Sequence, residues 1–219
     1  MSSELRTQLI SQMNLHGLAP NTQRSYVTSV KGLAVYYKKS PETLTDEQIR
    51  AYFQHLVEER KLTLGSCHRN LTGFLFFYRH VCRREVKDRF GLPPFRGEKK
   101  LPIVLSIEEV TRLLSCVENL KHRVLLKTIY SGGFRVSEAV RLEPHHIESD
   151  PSRMLIRVDQ GKGKKDRYTV LSKNLLKELR LYWKKYQPEK WLFPGYGHDK
   201  HLTTTAASQI FYRAKKKPA

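Results

Sequence analysis

The sequence lacks the features of a membrane or secreted protein. Its longest apolar stretch, residues 71–78, is short and interrupted by polar side chains, whereas a membrane span needs about 18 or more apolar residues. The first residues contain no apolar run typical of a signal peptide. The three cysteines, Cys67, Cys82 and Cys116, are odd in number and form no CxxC pair. These absences exclude a disulfide framework and a zinc site, and we expect a cytoplasmic protein with reduced thiols, no bound metal and no membrane partner.

Acidic residues are scarce relative to basic ones. Lys and Arg number 40 against 21 Asp and Glu, which gives a net charge of +19 and a pI near 10.0. Apolar residues make up only 39%, but 10% of the chain is aromatic, which is enough for a core and excludes a disordered tail. An ordinary metabolic enzyme with a small-molecule substrate does not need such a field. The composition therefore favours a polyanionic partner, and nucleic acid is the first candidate.

The positive charge is concentrated in two parts of the chain. Residues 1–100 carry 17 basic and 9 acidic side chains, residues 101–150 carry 6 and 7, and residues 151–219 carry 17 and 5. Two basic blocks around a neutral segment favour a protein that grips its polyanion from two sides. The alternative is charge kept for solubility alone, which does not require one sign to dominate so strongly.

A segment rich in proline and glycine separates the two basic blocks. The sequence VKDRFGLPPFRGEKKLPIVL, residues 86–105, is incompatible with a regular helix or a central strand. We therefore predict an N-terminal domain over residues 1–86, an extended linker over 87–104 and a C-terminal domain over 105–219.

The N-terminal domain reads as four helices, at about residues 4–15, 20–37, 46–60 and 64–81. Thr45 and Gln48 are spaced as a capping box at the start of the third helix. The polar faces are strongly basic, and the residues that we select as candidates for phosphate contacts with duplex DNA are Arg24, Lys31, Arg69 and Arg79. The alternative is a solvated helical bundle that contacts nothing, and the net charge favours DNA.

The C-terminal domain begins with a second capping box, Ser106 to Glu109, and continues with an apolar helix over about residues 122–130. Two glycines, Gly132 and Gly133, end that helix, and Arg135 follows at the start of the next one. A guanidinium beside free backbone N–H groups is suited to binding phosphate. The alternative for Arg135 is a surface residue with no role.

A hairpin follows, with strands predicted at residues 154–159 and 167–171 and a tight basic turn over 160–165. Lys162 lies between two glycines in that turn; the alternative is a routine turn with solvated lysines. Lys164, Lys165 and Arg167 are further candidates for contacts with DNA. Helices are predicted at about residues 172–186 and 204–217, with a Leu-Phe-Pro-Gly corner at 192–195 between them. The fold class is mainly α with a small β hairpin or sheet, an α+β arrangement.

The order of these elements resembles the tyrosine recombinase (phage integrase) family. The resemblance rests on the basic four-helix module, the linker, the Gly-Phe-Arg-Val-Ser-Glu segment (residues 133–138), the Gly-Lys-Gly-Lys-Lys-Asp-Arg hairpin (161–167) and the Leu-Phe-Pro corner. It implies a SAM-like core-binding domain followed by a recombinase catalytic domain that acts in DNA integration and site-specific recombination, as in integrases of mobile elements. It also implies double-stranded DNA and other recombinase protomers as partners, a nucleoid-associated location and no cofactor.

The resemblance also implies roles for individual residues. The family cleaves DNA by attack of a Tyr on a phosphodiester. Arg135 would pair with the scissile phosphate, Glu138 would order this region as its acidic partner, and Lys162 would protonate the departing 5′ oxygen as a general acid.

Two of the family's catalytic elements, a His-x-x-Arg motif and the nucleophilic Tyr, lie beyond the Leu-Phe-Pro corner. This sequence reaches Ala219 first, and its single His-x-x-Arg, His80 to Arg83, lies in the N-terminal domain. Tyr212 has no such motif before it, and we assign it to packing of the last helix. We therefore expect an incomplete catalytic domain that cleaves no strand by itself.

Two other functions fit the same composition. A non-enzymatic DNA-binding regulator that occupies recombination sites would share the charge but would not depend on Arg135 or Lys162 beyond simple phosphate contacts. An RNA-binding protein ranks last, because the sequence has neither the aromatic strand signature of an RRM nor the GXXG loop of a KH domain.

Overall fold

The computed structural model describes residues 1–95, 97, 101–159, 166–197 and 199–216. The chain divides into two compact units, a first unit over Met1–Pro102 and a second unit over Ile103–Ala219. Three of the predicted basic residues, Lys162, Lys164 and Lys165, lie outside the described residues.

The first unit is helical. Its helices are α1 (Ser3–Leu15), α2 (Pro20–Tyr37), α3 (Asp46–Glu58) and α4 (Leu64–Phe76), and α4 continues as a π-helical turn over Phe77–Val81. Short-range sequence signals begin these helices. The predicted capping box is present, since the Gln48 N–H donates to Thr45 Oγ1 at 3.3 Å and the Thr45 N–H donates to Gln48 Oε1 at 3.0 Å. Pro20 occupies the first turn of α2, where a missing N–H costs nothing.

The core of the first unit is built from the apolar stripes of these helices. It includes Leu9, Met13, Leu33, Ile49, Phe53, Cys67, Leu71, Phe74, Phe77 and Tyr78, all of them buried. Helices α2 and α4 approach closely at Gly73, where a Cβ would lie 3.3 Å from the ring of Tyr26. The Tyr78 hydroxyl donates to the carbonyl of Pro41 at 2.5 Å. The exposed basic side chains of this unit are therefore attached to a closely packed helical core.

The start of the segment predicted as an extended linker packs on the first unit. A 3₁₀ turn over Asp88–Gly91 places Phe90 in the core, and the Phe95 ring stacks on Phe53 with centroids 5.3 Å apart. Proline and glycine prevent a regular helix here, but they do not prevent aromatic side chains from burying their surface. Farther along, Leu101, Ile103 and Val104 are exposed and belong to no helix or strand.

The second unit is helical with one small sheet. Its elements are α5 (Ile107–Ser115), α6 (Leu120–Gly132), α7 (Val136–Ala139), β1 (Ile147–Glu148), β2 (Leu155–Val158), β3 (Arg167–Val170), α8 (Lys173–Tyr186) and α9 (Thr204–Lys216). The predicted capping box at Ser106 is formed, because Glu109 Oε2 accepts from the Ser106 N–H at 2.8 Å and Ser106 Oγ accepts from the Glu109 N–H at 3.2 Å.

The sheet is antiparallel in the order β1-β2-β3. Strands β2 and β3 form the predicted hairpin, with Ile156 opposite Thr169 and Val158 opposite Arg167. Strand β1 adds a short third strand, with Ile147 opposite Ile156. Two residues are too few to show an alternating pattern, so this strand has no sequence signal. The fold class is confirmed as mainly helical with a small antiparallel sheet.

The core of the second unit joins the helices to the corner that follows α8. The Tyr182 hydroxyl donates to the Leu192 carbonyl at 2.8 Å, and the Leu192 N–H donates to the Leu142 carbonyl at 2.7 Å. Helix α9 packs through Ala207, Ile210 and Ala214. The prediction that Tyr212 packs this helix is wrong, since 61% of the residue is exposed. Its position is off the buried stripe, which repeats every three to four residues.

Candidate phosphate-binding site

The turn that ends α6 determines where Arg135 lies. Gly133 takes a left-handed conformation with φ 61°, and the Phe134 N–H donates back to the Ile129 carbonyl at 3.1 Å. A Cβ on Gly132 would lie 2.1 Å from the ring of Phe134, so only glycine leaves room for that ring to fold into the core. Phe134 is buried as a result, and the next residue, Arg135, is held at the start of α7.

Arg135 is bound to Glu138 through both its side chain and its backbone. Arg135 Nη1 donates to Glu138 Oε1 at 2.7 Å, and the Arg135 N–H donates to Glu138 Oε2 at 3.0 Å. The Glu138 side chain is only 6% exposed, whereas that of Arg135 is 55% exposed. The buried Glu138 carboxylate thus holds Arg135 on its protein-facing side, and the exposed part of the guanidinium remains available to an anion.

Arg167 binds the same carboxylate from the sheet. Its Nη2 donates to Glu138 Oε2 at 2.7 Å, and its guanidinium lies over the Phe134 ring, 5.8 Å from the centroid. The sequence predicts Arg167 as a contact with DNA, and the structure places it in the cluster formed by Glu138 and Arg135. The pairing joins residues 29 positions apart, and no local pattern signals it.

Opposing effects act on the pKa of the Glu138 carboxyl. Burial raises this pKa, but the hydrogen bonds from the backbone and side chain of Arg135 and the charges of Arg167 and Arg135 together hold it below its ordinary value of 4.5. Glu138 is therefore ionised near neutral pH. One carboxylate shared by two guanidiniums leaves the cluster with a net positive charge, which is suited to binding a phosphate.

A cavity of about 470 Å³ opens beside Arg135. Its walls include Arg141, His146, Asp159 and Trp191. His146 is buried and lies between two elements: its Nδ1 accepts from the Glu143 N–H at 3.1 Å, and its Nε2 faces Asp159 Oδ2 at 3.2 Å. Sequence reasoning found neither His146 nor Asp159, and a histidine before a short strand gives no signal that it will be buried.

The predicted DNA contacts of the first unit lie on its surface. Arg24 and Lys31 on α2, Arg69 on α4 and Arg79 in the π-helical turn are exposed, and none of them forms an ion pair with another described residue. Arg24 and Lys31 are two helical turns apart and so share one face of α2. By contrast, Arg84 is held by the Leu44 carbonyl at 2.7 Å and by Asp46, so it is part of the scaffold.

The His-x-x-Arg sequence of the first unit is part of a ring cluster. The His80 ring lies 4.3 Å from His16 and 4.6 Å from Phe76 between centroids, and burial together with the neighbouring positive charges lowers its pKa.

Within the ranges that the structure describes, no helix is long and apolar enough to cross a membrane. The same ranges contain no group of three or more His, Cys, Asp or Glu side chains arranged to hold a metal ion.

The first unit is helical with exposed basic residues, and the second unit holds a half-exposed arginine against a buried carboxylate. Residues 5–88 match the phage integrase N-terminal SAM-like domain, and residues 104–218 match the phage integrase family. The chain belongs to the phage integrase, or tyrosine recombinase, family.

Curated relatives agree with this assignment. The chain is 40% identical over 210 residues to the putative integrase/recombinase y4qK of Sinorhizobium fredii, which covers 96% of this chain and 68% of the relative. It is 31% identical to the tyrosine recombinase XerD of Rhizobium meliloti, over 91% of this chain and 69% of the relative. An integrase/recombinase of Escherichia coli matches at 30% over 77% of this chain, but only 51% of the relative is covered. The chain thus spans between about half and about two thirds of the length of these relatives.

Solved structures show the same fold. A lambda integrase tetramer bound to a Holliday junction superposes with a TM-score of 0.75 at 15% identity, over 97% of this chain and 65% of that one. The Tn1549 transposon integrase in complex with circular intermediate DNA gives a TM-score of 0.68 at 13% identity, over 96% and 76%.

Proposed function

We propose that this chain binds duplex DNA for site-specific recombination and that Arg135 binds the phosphodiester at which strand transfer occurs. The observation that carries the proposal is the fixed geometry of Arg135, which Glu138 holds by two hydrogen bonds of 2.7 and 3.0 Å at the edge of an open cavity. Donors that are already oriented before the reaction stabilise developing charge without having to reorganise.

Charge and family membership support DNA as the partner. The net charge is +19, and four exposed basic residues of the first unit form no ion pair with a described residue, namely Arg24, Lys31, Arg69 and Arg79. Solved relatives are bound to a Holliday junction or to circular intermediate DNA. We propose that Arg24, Lys31, Arg69 and Arg79 contact phosphates of the duplex and that further protomers of a recombinase assemble on the same DNA.

Two parts of the proposal rest on the family resemblance. Lys162 serves as the general acid that protonates the leaving 5′ oxygen. Lys164 and Lys165, proposed from the basic composition of the same turn, contact nearby phosphates. The domain organisation follows the family matches, with a core-binding domain before a recombinase catalytic domain.

The test is binding of the 219-residue protein to a fluorescent duplex of about 30 bp, with Arg135→Ala and a matched control. Arg112 is an exposed arginine of the same unit that does not line the cavity, so Arg112→Ala serves as the control. Arg135→Ala is expected to weaken binding about tenfold, because it removes a charge-assisted hydrogen bond to phosphate, whereas the control stays within about twofold of the wild type.

Two results would contradict the proposal. Equal affinity of the wild type and Arg135→Ala for the duplex would remove the assigned role of Arg135 and leave a simple DNA-binding regulator. Displacement of the duplex by an equal concentration of a structured RNA hairpin would favour RNA as the partner.

A further inference from the structure

A second arginine lines the cavity beside Arg135. Arg141 follows α7 closely, is exposed, and forms neither an ion pair nor a hydrogen bond through its guanidinium with any residue that the structure describes. Arg135 and Arg167, by contrast, both donate to Glu138. Arg141 therefore adds to the cavity a positive charge that forms no ion pair with a described carboxylate, while the Glu143 carboxylate, which also lines the cavity, faces His145 Nδ1 at 3.4 Å.

The carboxylate of Asp159 on the cavity wall is already occupied. Arg157 Nε lies 2.7 Å from Asp159 Oδ1, and His146 Nε2 lies 3.2 Å from Asp159 Oδ2. Each carboxylate oxygen thus faces a donor within the protein. An anion in the cavity would meet a neutralised side chain instead of a free negative charge.

The tautomer of His146 follows from its other contact. Its Nδ1 accepts from the Glu143 N–H at 3.1 Å, so the ring proton is on Nε2 and is donated to Asp159. Because only 5% of the His146 side chain is exposed, packing fixes the ring in this orientation. His146 is therefore a positioning residue for Asp159 and acts on the cavity only through that carboxylate.

We propose that the cavity is a second phosphate subsite, in which Arg141 binds the phosphodiester next to the one held by Arg135 on the same DNA strand. This inference rests on the proposed function of Arg135. The volume of about 470 Å³ lies within the usual range for sites that enclose a small ligand, so it accommodates a phosphate with part of its sugar. Two adjacent phosphates held in this way fix the direction of the strand as well as its position.

A mutant cycle on affinity for a duplex of about 30 bp tests the subsite. Arg141→Ala alone is expected to weaken binding about tenfold, since it removes a charge-assisted hydrogen bond. In the Arg135→Ala background the same change is expected to weaken binding less than about twofold, because the strand is no longer drawn into the cavity and the two effects are not additive. Arg180, an exposed arginine on α8 outside the cavity, provides the control, and Arg180→Ala should add independently to Arg135→Ala.

A second experiment tests whether His146 positions the Asp159 carboxylate on the wall of the cavity. In His146→Asn the amide oxygen can still accept from the Glu143 N–H, but the side chain is too short to reach Asp159. Duplex binding is expected to weaken about threefold, because the Asp159 carboxylate, then held by Arg157 alone, can turn toward the cavity and repel phosphate. Adding Asp159→Asn should return the affinity to within about twofold of the wild type, a rescue that a purely structural role of His146 does not predict.

The outcomes separate this inference from the proposed function. If Arg135→Ala weakens binding but Arg141→Ala has no effect, or acts equally in both backgrounds, the second subsite is wrong and the role of Arg135 stands. If Arg135→Ala has no effect, the proposed function itself fails. Failure of Asp159→Asn to rescue His146→Asn would overturn the assignment of His146. Arg141 is exposed, so its variant carries little risk of misfolding.

Discussion

Glu138 Oε1 lies 2.7 Å from Arg135 Nη1, and this short contact joins a buried acid to a half-exposed base. The asymmetry matters because the carboxylate is inaccessible to an anionic ligand, while the guanidinium is accessible. The ion pair therefore orients Arg135 without blocking it, and the second guanidinium, from Arg167, keeps the local charge positive. The electrostatics of the site follow from this difference in burial.

The first prediction concerns Gly132→Ala. The new Cβ would collide with the Phe134 ring at 2.1 Å, so the ring must leave its pocket or the turn must shift. We expect the free energy of unfolding of the second unit to fall by about 2 kcal/mol. Urea denaturation followed by tryptophan fluorescence measures this, because both tryptophans, Trp183 and Trp191, lie in the second unit.

Gly133→Ala is the control for that experiment. Its φ of 61° strains an alanine, but a Cβ there meets nothing within 4 Å, so the expected cost is only about 1 kcal/mol. A destabilisation by Gly132→Ala no larger than that by Gly133→Ala would show that the Phe134 ring is not confined as described.

The second prediction is a dependence of stability on pH. The pKa of Glu138 is lower in the folded protein than its ordinary value of 4.5, so the carboxylate contributes stability that is fully present above that value. The contribution is lost as the pH falls through the lowered pKa. Glu138→Gln should therefore be less stable than the wild type at neutral pH, and the difference should shrink below about pH 4.5. Denaturation midpoints at a series of pH values measure it, and a constant difference down to about pH 3 would argue against an ionised Glu138.

The third prediction separates Arg167 from residues that contact DNA directly. Arg167→Ala removes a hydrogen bond to Glu138 and the contact with the Phe134 ring, so it should destabilise the second unit by about 1–2 kcal/mol. The slope of log affinity for duplex DNA against log salt should stay near that of the wild type. A fall of about 0.9 in that slope with unchanged stability would instead identify Arg167 as a phosphate contact.

The fourth prediction concerns the four exposed basic residues of the first unit that are proposed to contact DNA. A variant with Ala at Arg24, Lys31, Arg69 and Arg79 should fold normally, since these side chains are exposed and make no ion pair with the described residues. The salt slope for duplex binding should fall by about 0.9 for each phosphate that the variant no longer neutralises.

Arg84→Ala is the matched control in the same unit. It should lower thermal stability because Arg84 binds Leu44 and Asp46 and lies over the Tyr78 ring, yet it should leave the salt slope unchanged. An unchanged slope in the fourfold variant would show that DNA is bound elsewhere.

Local sequence signals account for most of the fold. The capping boxes at Thr45 and Ser106 and the glycines at 132 and 133 mark helix ends within a few residues, and the structure forms each of them. Arg135 and Glu138 are three residues apart, so their proximity follows from helical geometry alone.

Contacts between distant residues could not be predicted in the same way. Arg167 reaches Glu138 from another element, and His146 meets Asp159 only because β2 pairs with β1 beside it. The sequence predicts a linker around Phe90 from its proline and glycine content. That content gives no information on whether the Phe90 ring is buried, and the structure places the ring in the core. These features depend on tertiary packing, which overrides local propensity.

The salt dependence of duplex binding, measured side by side for the wild type and Arg135→Ala, decides whether Arg135 binds a phosphate of the DNA. Binding of the wild type should fall steeply with salt, and Arg135→Ala should bind more weakly with a slope shallower by about 0.9, because it neutralises one phosphate fewer. Identical affinities and slopes for the two proteins would show that Arg135 holds no phosphate.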